Sequence, residues 1–220
     1  MRRIIGLTSM NFGTICISWP LPLCALLLVG SVVGAAVEST PSHGDRSSNA
    51  WTVEQVVASL KEGREPSVSF EEATYSSLLT EPLIVRGVLR FTLPSTLEKE
   101  VVEPYRERYV IEGDRVTFES ERNHVKKTIS LEDNPALHSF VEAFRASFTG
   151  DVAQLKMFYE TTVEGTSRQW TLLLRPHDPA GRSMVDYLLL TGSEGRIATI
   201  AIRAPDGDRS VMTLRRGPSK

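Results

Sequence analysis

Leu83-Ile84-Val85-Arg86-Gly87-Val88-Leu89-Arg90-Phe91 decides how the chain is read. Leu83, Val85, Gly87, Leu89 and Phe91 fall on one face of an extended segment, and Ile84, Arg86, Val88 and Arg90 fall on the other, because successive strand side chains point to opposite sides. The same period runs upstream, where Val68, Phe70 and Glu72 alternate with Ser69 and Glu71. Downstream, Tyr105–Ile111 and Val116–Phe118 flank a Gly113-Asp114 turn. Residues 67 to about 130 therefore read as consecutive antiparallel strands.

Working outward, the pattern becomes helical on both sides. Thr52 followed by Gln55 is a capping-box signal, and Val53, Val56, Val57 and Leu60 recur at helical spacing until Gly63. After the first strands, Asp133-Asn134-Pro135 places a cap residue before a first-turn proline. Leu137, Phe140, Val141, Phe144 and Phe148 then form one apolar stripe that ends at Gly150, and Asp151–Leu155 adds a further turn. Strands are expected to resume at Lys156–Val163, Arg168–Arg175, Met184–Thr191, Arg196–Arg203 and Ser210–Leu214. Between them lie turn signals at Glu164-Gly165, His177–Gly181, Gly192–Gly195 and Asp206–Asp208. The fold class is α+β: one antiparallel sheet of about ten to eleven strands, with a leading helix and a central helical insertion. A twisted sheet of that size curls or closes, and two amphipathic helices are available to cover its concave face.

The start of the chain reads differently. Met1-Arg2-Arg3 is basic, an apolar run follows from Leu21 to about Ala36, and the run ends in Gly34-Ala35-Ala36. These are the parts of a secretory signal peptide spanning 1–36, cleaved near Ala36. Pro20 and Pro22 leave an uninterrupted apolar stretch that is short for a membrane span. Ile15 precedes Cys16 and Leu23 precedes Cys24, so neither cysteine follows the small residue that a lipoprotein signal needs. The mature chain has no cysteine and must stand on its hydrophobic core. Residues 37–50 read as a flexible leader, and 51–216 as one domain. The formal charge of −2 for the whole chain lacks the basic excess of a nucleic-acid binder.

No constellation for catalysis or metal binding emerges. His124, His138 and His177 lack ligand spacing, and neither a G-x-S-x-G elbow nor a glycine-rich phosphate loop opens a helix. No cofactor is expected. Glu71 and Glu72 project to opposite faces and cannot act on one substrate. Glu72 shares the inward face with Phe70, and a carboxylate there needs a partner. The expected partner is an arginine such as Arg106 or Arg108, with contact to a ligand as the alternative.

Several short segments carry a resemblance: Phe70-x-Glu72, Ser77-Leu78-Leu79, Gly87-x-Leu89-x-Phe91-x-x-Pro94-x-x-Leu97, Ile111-x-Gly113-Asp114 and Trp170-x-Leu172-x-Leu174-x-Pro176. In this order, spread from Trp51 to Arg216, they resemble the LolA-like family of periplasmic lipoprotein carriers. The resemblance implies an incomplete β-barrel with a helical lid, whose cavity takes the acyl chains of a lipoprotein or of a related envelope lipid. By position it assigns Phe70, Leu89, Phe91, Trp170, Leu172 and Leu174 to the cavity wall, and Phe140, Val141 and Phe144 to the lid. Typical members carry an arginine that governs lid and release just before the proline matching Pro94, where this chain has Leu93. Arg90, Lys99 and Glu72 are the charged residues available for that role. The partners implied are inner- and outer-membrane transfer proteins, with a monomeric carrier moving between them in the periplasm. A filled barrel that docks in an envelope assembly is the alternative. A lipid-ester hydrolase ranks third, since no nucleophile–base pair can be located.

Overall fold

The computed structural model describes residues 50–92 and 96–216. The expected signal segment, the leader up to residue 49 and the Leu93-Pro94 pair lie outside the described residues. Helix α1 (Val53–Glu62) precedes six strands: β1 (Ser67–Tyr75), β2 (Leu83–Thr92), β3 (Thr96–Glu103), β4 (Glu107–Glu112), β5 (Arg115–Ser120) and β6 (Val125–Ser130). Helices α2 (Pro135–Thr149) and α3 (Val152–Phe158) follow. The chain then returns to strands with β7 (Tyr159–Thr166), β8 (Gln169–Pro176), β9 (Tyr187–Ser193), β10 (Arg196–Arg203) and β11 (Arg209–Arg216), with α4 (Pro179–Met184) between β8 and β9.

All eleven strands join one antiparallel sheet in the order β6-β5-β4-β3-β2-β1-β11-β10-β9-β8-β7. The first and last strands pair at its centre, from Val68 opposite Arg216 to Tyr75 opposite Arg209. Its two edges are therefore β6 and β7, which are consecutive in sequence and are joined by α2 and α3. The sheet is a barrel left open along one seam, and the helices of the insertion start and end at that seam. Lys126 and Lys127 are exposed on edge strand β6, a charge pattern that discourages pairing with another chain.

The capping box forms as its spacing predicts: Gln55 N donates to Thr52 Oγ1 at 3.3 Å, and Thr52 N donates to Gln55 Oε1 at 2.9 Å. Helix α1 then turns Val53, Val56, Val57 and Leu60 inward against β7, β8 and β10. This half of the concave face holds the main core, including Trp170, Leu172, Leu174, Leu188, Leu190 and Ile200. Two glycines are needed for close approach rather than for turning. A Cβ on Gly192 would stand 2.3 Å from Trp170 Cζ2, and one on Gly87 would stand 2.9 Å from Phe70 Cε1. Both rings lie in space that a side chain would fill.

The structure corrects four sequence expectations. Thr96–Glu103 forms β3, a strand that the inward Lys99 hides by breaking the apolar alternation. The strand expected from Lys156 begins at Tyr159, because Asp151 caps α3 by accepting from Gln154 N at 2.9 Å and the helix continues to Phe158. The turn expected at His177–Gly181 holds α4, capped by Asp178 accepting from Gly181 N at 2.7 Å, and the next strand starts at Tyr187 rather than Met184. Finally, β7 runs through Glu164-Gly165 to Thr166, opposite Gln169, so the hairpin turn is Ser167-Arg168.

Candidate ligand-binding cavity

Helix α2 is buried on nearly all sides. Ser139, Ala143, Ala146 and Ser147 are buried, and α2 packs against α1, α3 and α4. Polar links hold it from behind: Ser139 Oγ donates to Asp178 Oδ2 at 2.9 Å, and Glu142 accepts from Arg145 at 2.7 Å and from Gln154 at 3.1 Å. Arg145 also donates to the carbonyl of Gly113 in the β4–β5 turn. Its remaining face, carrying Leu137, Phe140, Val141, Phe144 and Phe148, looks onto the sheet. The expected apolar stripe is therefore the helix face that meets the concave side.

Between that face and the sheet is a cavity of about 110 Å³. Leu89, Leu97, Ile111 and Val116 form one wall, and Ile200, Ile202 and Met212 form the other. The rings of Phe140 and Phe144 lie 5.1 Å apart across its roof. Glu72, Lys99 and Tyr109 also border it, through their carbon atoms. Leu89, Leu97 and Phe148 also border a second, outer compartment of about 260 Å³. That compartment opens between the end of α1, β2 and the β9–β10 hairpin, and Phe148 stacks on Phe91 at 5.3 Å along its side.

The inward carboxylate finds a different partner from the expected one. Glu72, 3% exposed, accepts a hydrogen bond from Lys99 Nζ, and the two form an ion pair. Arg108 occupies an even position of β4, whose odd positions Tyr109 and Ile111 line the cavity, so alternation sends it outside, and Arg106, just before the strand, lies on the same side. There Arg108 binds Glu98 at 3.0 Å and Arg106 stands 4.0 Å from Glu100. Lys99 can reach Glu72 from two strands away because Gly87, between them, has no side chain. The ammonium passes 5.3 Å from the Phe70 ring centroid and 5.9 Å from that of Tyr109, distances at which a cation is attracted by an aromatic face. Tyr109 donates to Glu107 at 2.9 Å, and burial first, then the Glu107 charge, pushes its phenol well above the usual tyrosine range.

Of the residues singled out by sequence, Leu89, Phe140, Val141 and Phe144 meet at the inner compartment, with Glu72 and Lys99. Phe91 borders the outer one. Phe70, Trp170, Leu172 and Leu174 do not line either compartment and belong to the sealed core under α1. Arg90 points outward to Glu98 and Glu100, at 3.0 and 2.7 Å. Sequence reasoning missed Leu97, Tyr109, Ile111, Ile200, Ile202, Met212 and Phe148 as walls. It also missed Arg64, whose Nη1 donates to the Phe148 carbonyl at 3.0 Å while its guanidinium carbon lies 5.1 Å from the Phe91 ring centroid. The odd-position alternation of β3 and β4 carried the signal for the first three; nothing local marks Arg64.

These features define the class: an incomplete antiparallel β-barrel with a helical lid over an apolar interior. The sequence matches the family described as outer membrane lipoprotein carrier protein LolA-like over residues 45–219. The chain belongs to that family. Comparison with curated proteins returns no match. Among solved structures, a LolA superfamily protein from Nitrosomonas europaea is 13% identical, with 76% of this chain and 92% of that chain covered and a TM-score of 0.41. A putative outer membrane lipoprotein-sorting protein domain from Vibrio parahaemolyticus is 10% identical, covering 76% and 93%, with a TM-score of 0.42. The MucA/MucB complex of Pseudomonas aeruginosa is 11% identical, covering 76% and 58%, with a TM-score of 0.37.

The roof is open to a direct test. Phe→Ala in a packed core costs about 3–5 kcal/mol, and the cost depends on how the site collapses. Phe144 already faces a void on one side, so Phe144→Ala is expected to cost less than that in urea unfolding, about 1–3 kcal/mol. Binding of an acyl probe is expected to weaken at least tenfold in the same variant. A full core-sized stability loss with unchanged binding would make α2 ordinary core.

Proposed function

We propose that the protein is an exported, non-catalytic carrier that holds the acyl part of a lipoprotein or related envelope lipid beneath α2. The observation that supports this is the apolar compartment of about 110 Å³ between α2 and the sheet, set beside a larger one that opens outward. Leu89, Phe140, Val141 and Phe144 would contact the chain, and Phe91 would contact it on the way in. Each compartment is smaller than the roughly 300–1,000 Å³ of a typical small-molecule site. Cargo therefore has to move Phe148, which separates them, and lift α2 from the sheet. The Lys99–Glu72 pair would set the closed end of the site and resist further penetration by hydrocarbon, since separating a buried pair exposes each charge to an apolar surrounding.

In this reading the chain acts as a monomer in the periplasm after cleavage near Ala36, receiving cargo from an inner-membrane protein and passing it to an outer-membrane one. Lipids extracted from the mature protein, purified from the envelope fraction, should include a stoichiometric acylated species by mass spectrometry. Its amino terminus should begin near residue 37. Lipid-free protein with an intact Met1 from a cytoplasmic pool would overturn both parts of the proposal.

A further inference from the structure

The outer compartment differs from the inner one in its charge. Arg64 lines it and the exposed Arg196 and Arg215 stand at its edge, against one acidic lining residue, Glu65, which lies 3.7 Å from Arg196. Arg90 also borders it but is already held by Glu98 and Glu100. Arg64 is half-buried and forms no ion pair with a described residue. One of its five N–H donors is used on the Phe148 carbonyl. Its guanidinium carbon stands 5.1 Å from the Phe91 ring centroid, and its other donors have no partner among the described residues. A planar guanidinium so placed suits an oxyanion better than a neutral group. The floor beside it is apolar, made by Leu60, Leu97, Ile197 and Leu214.

We propose that this compartment is a headgroup site for an anionic amphiphile. The hydrocarbon passes the Phe148 partition into the inner cavity, and a phosphate or carboxylate remains outside against Arg64, with Arg196 and Arg215 around it. The proposal rests on the carrier reading and specifies its ligand class: a single-molecule lipid with an acidic head, in preference to a neutral one of equal chain length. The charge complementarity of the mouth selects the lipid head as occupant.

The test is competition binding by the mature chain with a lysophosphatidic acid, the 1-monoacylglycerol of the same chain, and glycerol 3-phosphate. The phosphate lipid should bind at least tenfold tighter than the neutral one, with the difference shrinking as salt rises, and glycerol 3-phosphate alone should not compete. Arg64→Gln combined with Arg196→Gln should bring the ratio close to one, and Arg64→Lys, which keeps the charge, should retain part of it. Equal affinities in the wild type, or a ratio unchanged in the double variant, would overturn the headgroup site and leave the carrier reading standing. Loss of both lipids together in every variant, Arg64→Lys included, would assign these arginines to the fold and overturn the site as well. Failure of both lipids to bind the wild type would remove the carrier reading itself. Competition by glycerol 3-phosphate as strong as by the lipid would make this a soluble-phosphate site instead.

Discussion

Leu172→Arg is expected to abolish cooperative folding. Leu172 is 0% exposed and sits in the core between Val163 on β7 and Leu190 on β9. No described cavity reaches it, so a guanidinium there has no water and no counter-ion. An unpaired buried charge costs several kcal/mol or more, comparable to the roughly 5–15 kcal/mol that holds a domain together. The matched control is Leu97→Arg. Leu97 lines both compartments, and from it a long side chain can carry its charge into the outer one. That variant is expected to keep the far-ultraviolet circular dichroism and a sharp thermal transition while losing probe binding. If Leu172→Arg melts like the wild type, the division between sealed core under α1 and open cavity under α2 is wrong.

Lys99→Ala is the second large effect, expected to lower unfolding free energy by about 3–5 kcal/mol. The loss comes from Glu72 more than from the missing bond: a carboxylate 3% exposed would remain without its cation among Phe70, Met212 and Leu89. Replacing both residues with apolar ones of similar length, Lys99→Met with Glu72→Met, should recover most of the loss, because a well-packed apolar pair is often as stable as a buried ion pair. Urea unfolding midpoints of the single and double variants, at unchanged slope, measure this. A double variant no more stable than Lys99→Ala would mean that the pair contributes shape rather than charge balance. The double variant should also admit a longer acyl chain, since the polar end of the cavity is gone.

Much of the scaffold was legible in the residues. The period-two runs gave β1, β2 and the later strands, Thr52 with Gln55 gave the start of α1, and Asn134-Pro135 gave the start of α2. The misses share a cause: an inward-facing polar residue looks like a break in the pattern. Lys99 concealed β3 in this way, although Leu97 and Val101 on either side of it follow the period. The short α4, begun by Asp178, was read as a turn, and the end of α3 from Lys156 to Phe158 was read as strand, because six or seven residues give too little periodicity.

The candidate site was half legible for a related reason. Alternation says which side of a strand faces in, but Leu89 and Leu172 have the same pattern and different surroundings. What separates them is where the helices lie. Helix α1 seals the β7–β8 side, and α2 stands over β1–β5, β10 and β11 with space beneath it. That information is in the topology, with β1 paired to β11 and the seam between β6 and β7, rather than in either strand. Arg64 was invisible for the same reason, since its partner Phe148 is 84 residues away.

Titration of the mature protein with a series of fluorescent fatty-acyl probes of increasing chain length tests the carrier reading most directly. Each methylene removed from water contributes about 0.8 kcal/mol, or about fourfold in affinity. Saturable one-to-one binding should therefore strengthen by about that factor per methylene and then level off, once the chain reaches Lys99 and Glu72. Phe144→Ala should weaken the whole series. Absence of saturable binding at every chain length would contradict a carrier and leave a filled barrel that acts by docking.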